Sequence, residues 1–336
     1  MWGGRRPYRR AGLILVLLLG IGWWLPRAEG AVNIFSESRE RAWGKEAHAE
    51  VLKTYTPYDN PALQRYVSQV GERIVRSSGR GSFRYQFLVL DDPSINAFAL
   101  PGGYVYVMRG LLTELSNEAE LAGVLAHEVG HAALHHAAKQ YTRLLGYNFL
   151  TLGAAVAGSA AGGEGGKIAV AASSLFQQIL LGYSREFELE ADEFALFALH
   201  RAGYDPRAFI DFMRHLRLKN RLEGVAYHGF QSTHPSILER IVQAETLASI
   251  LVSKGGRLER RSEEYLAHID GLKYGQSRDR RYLKIYTVQA GETLQDIAQK
   301  TLGDRQKTWE IAFVNRLEED TPLQEGEKLK VVLQKE

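Results

Sequence analysis

Apolar positions change their spacing along the chain, and each spacing predicts a different element. Residues 11 to 25, AGLILVLLLGIGWWL, form a continuous apolar run behind the basic stretch RRPYRR. From Lys45 to Ser77 the apolar positions Val51, Leu52, Leu63, Tyr66, Val67, Val70 and Ile74 recur at helical intervals, interrupted by Pro57 and Pro61. The period then shortens. FRYQFLVLDD, Phe83 to Asp92, alternates as a half-buried strand does, and YVYVMRG, Tyr104 to Gly110, predicts a second strand after NAFALPGG. A small sheet with a Pro-Gly-Gly turn follows.

Helical spacing returns at Ser116, which reads as an N-cap, with Glu118 and Glu120 where the helix dipole favours negative charge. This helix runs through Leu121, Val124, Leu125 and HEVGH towards Gln140. Asn148 to Gly166 is rich in Gly and Ala, and Leu144 to Gly163 carries no charge. That stretch reads as a packed or mobile helical loop, with a membrane hairpin, and so contact with a membrane through 144–163, as the alternative. A further helix, Tyr183 to Arg201, stops at Gly203 with Pro206 beyond, and helical character persists through Glu245 and Val252. Ser253 to Arg281 turns polar and basic, in KGGRLERRSEE and GQSRDRR, as a connection between domains does. Ile285 to Val332 reads as strand, helix, helix, strand. The fold class expected is α+β: a mainly helical domain with a small sheet over 31–252, a linker over 253–282 and a small βααβ domain over 283–336.

A length of 336 residues, 45% hydrophobic and 24% charged, suits a globular core plus a smaller module. The net charge of +3 owes much to Arg5, Arg6, Arg9 and Arg10; the remainder is close to neutral, so no nucleic-acid partner is expected. The absence of cysteine excludes disulfides, thiolate metal sites, a cysteine nucleophile and a lipoprotein anchor. Residues 1–30, basic then apolar with small residues at Ala28 and Gly30, read as a signal peptide cleaved near Gly30 and Ala31. The alternative is an uncleaved anchor with Trp23 and Trp24 at the membrane interface. Either way the bulk of the chain is expected in the periplasm or cell envelope.

HEVGH adds chemistry. Helical positions four apart share a face, so His127 and His131 can meet one ion, and Glu128 can reach its open side without binding it. Zinc suits two neutral imidazoles and a carboxylate, with a fourth position left for water. A third ligand is therefore required. His135 and His136 lie too far along the same helix to close a tetrahedron, so both read as structural or exposed. SREFELEAD, Ser184 to Asp192, offers Glu186, Glu188, Glu190 and Asp192, of which Glu188 and Asp192 share a face. Its helix is also apolar at Phe187, Leu189, Ala191, Phe194, Ala195 and Leu196, so some carboxylates must point inward and need partners.

HEVGH, then SREFELEAD, then STHPSILER resembles the zinc metallopeptidase family that contains the CAAX prenyl endopeptidases, the HtpX-like membrane proteases and the periplasmic BepA-type proteases; the likeness spans roughly Ala42 to Leu247. The resemblance implies a zincin fold of gluzincin type, with one zinc ion per chain. His127, His131 and Glu188 would be ligands, Glu128 the catalytic base, and Asp192 the partner that orients a ligating histidine. His234 and Arg240 match positions that would stabilise the oxyanion, and His234 could instead be a reversible fourth ligand. Asn96 matches a substrate-contacting position beside a strand that pairs with extended substrate. The tail from Ile285 to Val332 is similar to a LysM module, which implies N-acetylglucosamine-containing glycan, hence peptidoglycan, as a partner; Gln289-Ala290 stands where Pro-Gly is commoner. Together these imply an exported zinc endopeptidase acting on unfolded or misassembled envelope proteins. The alternatives are a peptidase of cell-wall peptides and a latent protease acting chiefly as a chaperone or assembly factor.

Overall fold

Ser36 and Asn60 start the first two helices. In the computed structural model, which describes residues 32–80, 83–152, 174, 177–223, 229–235 and 237–335, the Ser36 side chain accepts from Arg39 N to open α1 (Glu37–Thr54). Asn60 does the same for Leu63 N at α2 (Pro61–Ser78), where Pro61 loses no helical hydrogen bond. Leu63, Tyr66, Val67, Val70 and Ile74 form the buried face of α2, as their spacing predicts. The expected signal peptide, residues 1–30, lies outside the described residues, as does residue 153 onward of the uncharged 144–163 stretch. Among the described residues no helix is long and apolar enough to cross a membrane.

Three strands follow: β1 (Gln86–Leu90), β2 (Ala97–Leu100) and β3 (Tyr104–Met108). Their order is β1-β3-β2, with β1 parallel and β2 antiparallel to β3. AFAL, to which the sequence pattern assigns no element, is thus a strand. All four residues of β2 are buried, so no polar alternation announces it. The Pro-Gly-Gly turn uses positive φ at Gly102 and Gly103, a region glycine enters without steric cost. Gln64 covers the outer edge of β1, bonding Val89 N and Val89 O at 2.8 Å each, while β2 forms the other edge of the sheet.

After α3 (Arg109–Glu114), the central helix α4 (Glu118–Ala133) is buried along its whole length. Its cap is Asn117, one residue beyond the Ser116 expected: the Asn117 side chain accepts from Glu120 N, and Ser116 N instead donates to the Glu120 carboxylate. The helix also ends earlier than expected. His135 adopts φ 58 with its ring held by Glu40, and the chain restarts as α5 (His136–Leu152). Helices α6 (Arg185–Arg201) and α7 (Arg207–Glu223) pack on α4, the short α8 (Phe230–Thr233) follows, and α9 (Ile237–Ser253) packs on α6 and α7.

Residues 253–282, expected as a linker, are folded onto this core. They contain α10 (Ser262–Ile269) and β4 (Lys273–Tyr274), and Tyr265, Leu266, Ile269 and Leu272 join the hydrophobic cluster of α2 and α4. Fully buried Arg109 fastens the stretch by donating to Lys273 O and Gly275 O. Four apolar positions are enough to anchor a segment that is otherwise largely polar and exposed.

The terminal domain has the expected order, β5 (Arg281–Thr287), α11 (Leu294–Leu302), α12 (Thr308–Asn315) and β6 (Lys328–Gln334), with β4 added to its sheet as β4-β5-β6. Val288, Leu294, Ile297, Ala298, Ile311, Ala312, Leu329 and Val331 form its core. It docks where α4 begins. Arg316 forks onto Glu120 at 2.8 and 2.9 Å and reaches Glu114 O, while the Lys330 ammonium donates to Thr113 O and Leu115 O.

Candidate metal centre

Helix α4 presents His127 and His131 one turn apart, with their Nε2 atoms 3.0 Å from each other. Gly130 lets α6 come close: a Cβ there would lie 3.1 Å from the Phe194 ring and 3.3 Å from Ala191 Cα. That approach brings in Glu188, whose carboxylate oxygens stand 3.4 Å from each of these two nitrogens. His234, in the turn after α8, places Nδ1 3.2 Å from His127 Nε2 and 3.0 Å from Glu188 Oε1. A tetrahedral ion with bonds of about 2.0–2.1 Å would set its ligand atoms roughly 3.3 Å apart, so the spacing of these four donors fits zinc. Each of the four is buried.

Around the donors lies a set of supporting contacts. Asp192 Oδ1 is 2.9 Å from His127 Nδ1, a short contact off the line of a straight hydrogen bond. Arg240 grips Asp192 through Nε and Nη2 at 2.7 Å each, approaches Glu188 at 2.7 Å through Nη1 and donates to His234 O. Thr233 donates to Asn96 Oδ1, and Phe230 N to Ile95 O, so α8 is stitched to the start of β2. On the other side of the centre, His131 Nδ1 lies 3.0 Å from His136 Nδ1, and His136 Nε2 lies 3.1 Å from Glu190 Oε2.

The structure therefore brings together His127, Glu128, His131, Glu188, Asp192, His234 and Arg240, and ties Asn96 to them through Thr233. Sequence reasoning missed His136. Spacing along an unbroken helix sends it away from the pair, and neither Gly nor Pro marks the break at His135. His135 itself faces Glu40, away from the donors, as its structural reading implied.

Charge in the pocket is unbalanced. When ionised, Glu128, Glu188 and Asp192 carry three negative charges against the guanidinium of Arg240, an excess that a divalent cation would offset. Burial would raise the Glu188 carboxyl, but the positive groups around it, Arg240 among them, hold it well below the usual carboxylate range. Burial also pulls His127 down, yet the Asp192 and Glu188 carboxylates beside it outweigh this and push it up to about 9. Positive charge is favoured there. Burial lowers His131 to about 3, which keeps a lone pair free for a metal. Burial raises the pKa of Glu128, and neither of its oxygens has a hydrogen-bond partner. Nor has His234 Nε2, 3.3 Å from Glu128 Oε1. A buried carboxylate beside a four-donor cluster, bonded to nothing, is positioned to handle a proton.

The profile described as Peptidase family M48 matches residues 61–248, and that of the LysM domain residues 286–332. The chain is similar to the mitochondrial metalloendopeptidase OMA1 of Schizosaccharomyces pombe, 32% identical over 216 residues, 63% of this chain and 62% of that protein. It is also similar to the beta-barrel assembly-enhancing protease of Yersinia pestis, 33% identical over 175 residues, 49% of this chain and 34% of that one. The protein of the same name in Escherichia coli strain K12 is 29% identical over 169 residues, 47% and 33% of the two chains. This chain thus spans from a third to under two thirds of the length of these relatives.

Proposed function

We propose that this chain, which belongs to peptidase family M48 and carries a LysM domain, is an exported zinc-dependent endopeptidase that hydrolyses unfolded or misassembled envelope proteins. One observation carries the reading: His127, His131 and Glu188 converge at metal-ligand spacing beside Glu128, a buried carboxylate without a hydrogen-bond partner. Bound by these three residues, zinc would supply a charge that acidifies an attacking water and polarises the scissile carbonyl. Glu128 takes the proton of that water and delivers it to the leaving amine. His234 Nε2 donates to the developing oxyanion. Arg240, offered by sequence for the same role, has its donors engaged with Asp192, Glu188 and His234 O, so we assign it to holding those groups in place. Asp192 orients His127.

The edge position of β2, which follows directly on Asn96, supports binding of an extended polypeptide by strand addition. Relatives named for enhancing β-barrel assembly favour envelope proteins as the substrate. The apolar run of residues 11–25 favours export, and the LysM domain favours tethering to peptidoglycan. Glu128→Gln tests the core of this proposal. Metal content should stay at the wild-type level while cleavage of an unfolded protein falls about 10²–10⁴-fold; retained cleavage contradicts the assignment.

A second reading, latency, is favoured by burial. The four donors and Glu128 are at most 1% exposed, and His234 fills the fourth corner that a substrate or water would need. In that form the chain would act chiefly as an assembly factor until His234 is displaced. Casein cleavage separates the readings: activity released in His234→Ala supports latency, and activity lost in it supports a role at the oxyanion.

A further inference from the structure

We propose that His136 is a positioning residue that fixes the metal ligand His131, with Glu190 fixing His136 in turn. The proposal rests on the metal centre described above and extends it outward by two residues. If His131 binds through Nε2, the face it turns to the other donors, its proton sits on Nδ1 and needs an acceptor. His136 Nδ1 is there at 3.0 Å. A histidine that accepts at Nδ1 carries its own proton on Nε2, and His136 Nε2 faces Glu190 Oε2 at 3.1 Å. Each link donates in the same direction, so one tautomer at each ring satisfies the whole chain.

The rings are held flat by stacking. His131 lies on Tyr183 with centroids 4.1 Å apart and planes 15° from parallel, and His136 lies on Phe187 at 4.5 Å and 14°. Five residues along a regular helix, His136 would point about 140° away from His131. The break at His135 brings it back. A non-glycine residue at φ 58 is sterically disfavoured, and the Glu40 carboxylate holds this one at 2.9 and 3.0 Å from the His135 ring. The strained turn is thus what carries His136 to the back of the ligand.

The two metal-binding histidines consequently have unlike supports. His127 backs onto Asp192, a buried carboxylate clamped by Arg240, whereas His131 backs onto an imidazole whose carboxylate, Glu190, is half exposed. Loss of His136 removes the sole group among the described contacts of His131 Nδ1 that can accept its proton.

The test uses the full chain and two readouts, zinc affinity by chelator competition and the visible spectrum of the cobalt(II)-loaded protein. His136→Phe keeps a ring against Phe187 but cannot accept, and His136→Asn offers an oxygen near the place of Nδ1. The Phe variant should bind zinc ten- to a hundredfold more weakly with an altered cobalt spectrum, and the Asn variant should recover most of the affinity. Wild-type affinity in His136→Phe, or equal losses in both variants, overturns the proposal. If the Phe variant does not fold, Glu190→Ala decides: a several-fold loss of zinc affinity is expected, and no loss contradicts the relay. Glu188→Ala is the separate control. If it binds zinc like wild type, the underlying metal centre fails, whatever His136 does.

Discussion

Two clusters of buried charge sit at opposite ends of α4, and they differ in what they leave unpaired. At the N-terminal end, where the terminal domain docks, Glu120 meets Arg316, Glu114 meets His215 and Lys219, and Lys330 meets two carbonyls. Its carboxylates all have partners. At the HEVGH end three nitrogens and a carboxylate crowd within 4.8 Å of each other, and Glu128 has no hydrogen-bond partner. Burial of charge alone therefore does not mark a functional site. The matched cluster is an internal fastening, and the mismatched one has the charge and geometry of a cation site.

The largest effect is expected where the mismatched cluster depends on one guanidinium. Arg240→Met leaves Asp192 and Glu188 buried without their guanidinium and should cost about 3–5 kcal/mol in urea unfolding of the metal-free protein. A loss below about 1 kcal/mol would mean that the cluster does not depend on that pairing. In the matched cluster, acid should expose the role of Glu114. Burial would raise its carboxyl, but His215 and Lys219 bring it from 4.5 down to about 2. A lowered carboxylate contributes stability that is complete above its ordinary pKa and lost as pH falls through the folded value. With each tenfold change in proton affinity about 1.4 kcal/mol, roughly 3 kcal/mol should disappear between about pH 5 and pH 2. Glu114→Gln should flatten that limb of the stability curve, and an unchanged slope would contradict the pairing.

A smaller effect is expected at the docking contact. Arg316→Ala leaves the Glu120 carboxylate, only 1% exposed, without its fork. Unfolding stability should fall by about 2 kcal/mol, and protease nicking between the two domains should quicken. If neither changes, the fastening is incidental.

Much of this arrangement is legible before any coordinates. Helical spacing places α2, α4 and α6, and the i, i+4 pairs His127 and His131, Glu188 and Asp192 lie on the faces that meet. What is not legible depends on tertiary context. β2 is buried on both faces and lacks alternation, so nothing in AFAL announces a strand. Tyr265, Leu266, Ile269 and Leu272 are sparse among charged residues, yet they bury α10. The break at His135 is held by Glu40, 95 residues away in sequence, and no local residue type signals it. His136 was hidden for that reason. The choice among Glu186, Glu188, Glu190 and Asp192 needed family resemblance, because a face can be read from spacing but the partner across it cannot.

The central claim is that the mismatched cluster holds one catalytic zinc ion, and metal analysis of the purified full chain tests it most directly. Wild-type protein should carry one zinc per chain, and Glu188→Ala, still folded by circular dichroism, should carry little or none. Metal-free wild type that stays so after incubation with zinc, or a Glu188→Ala variant that retains a full equivalent, would contradict the account.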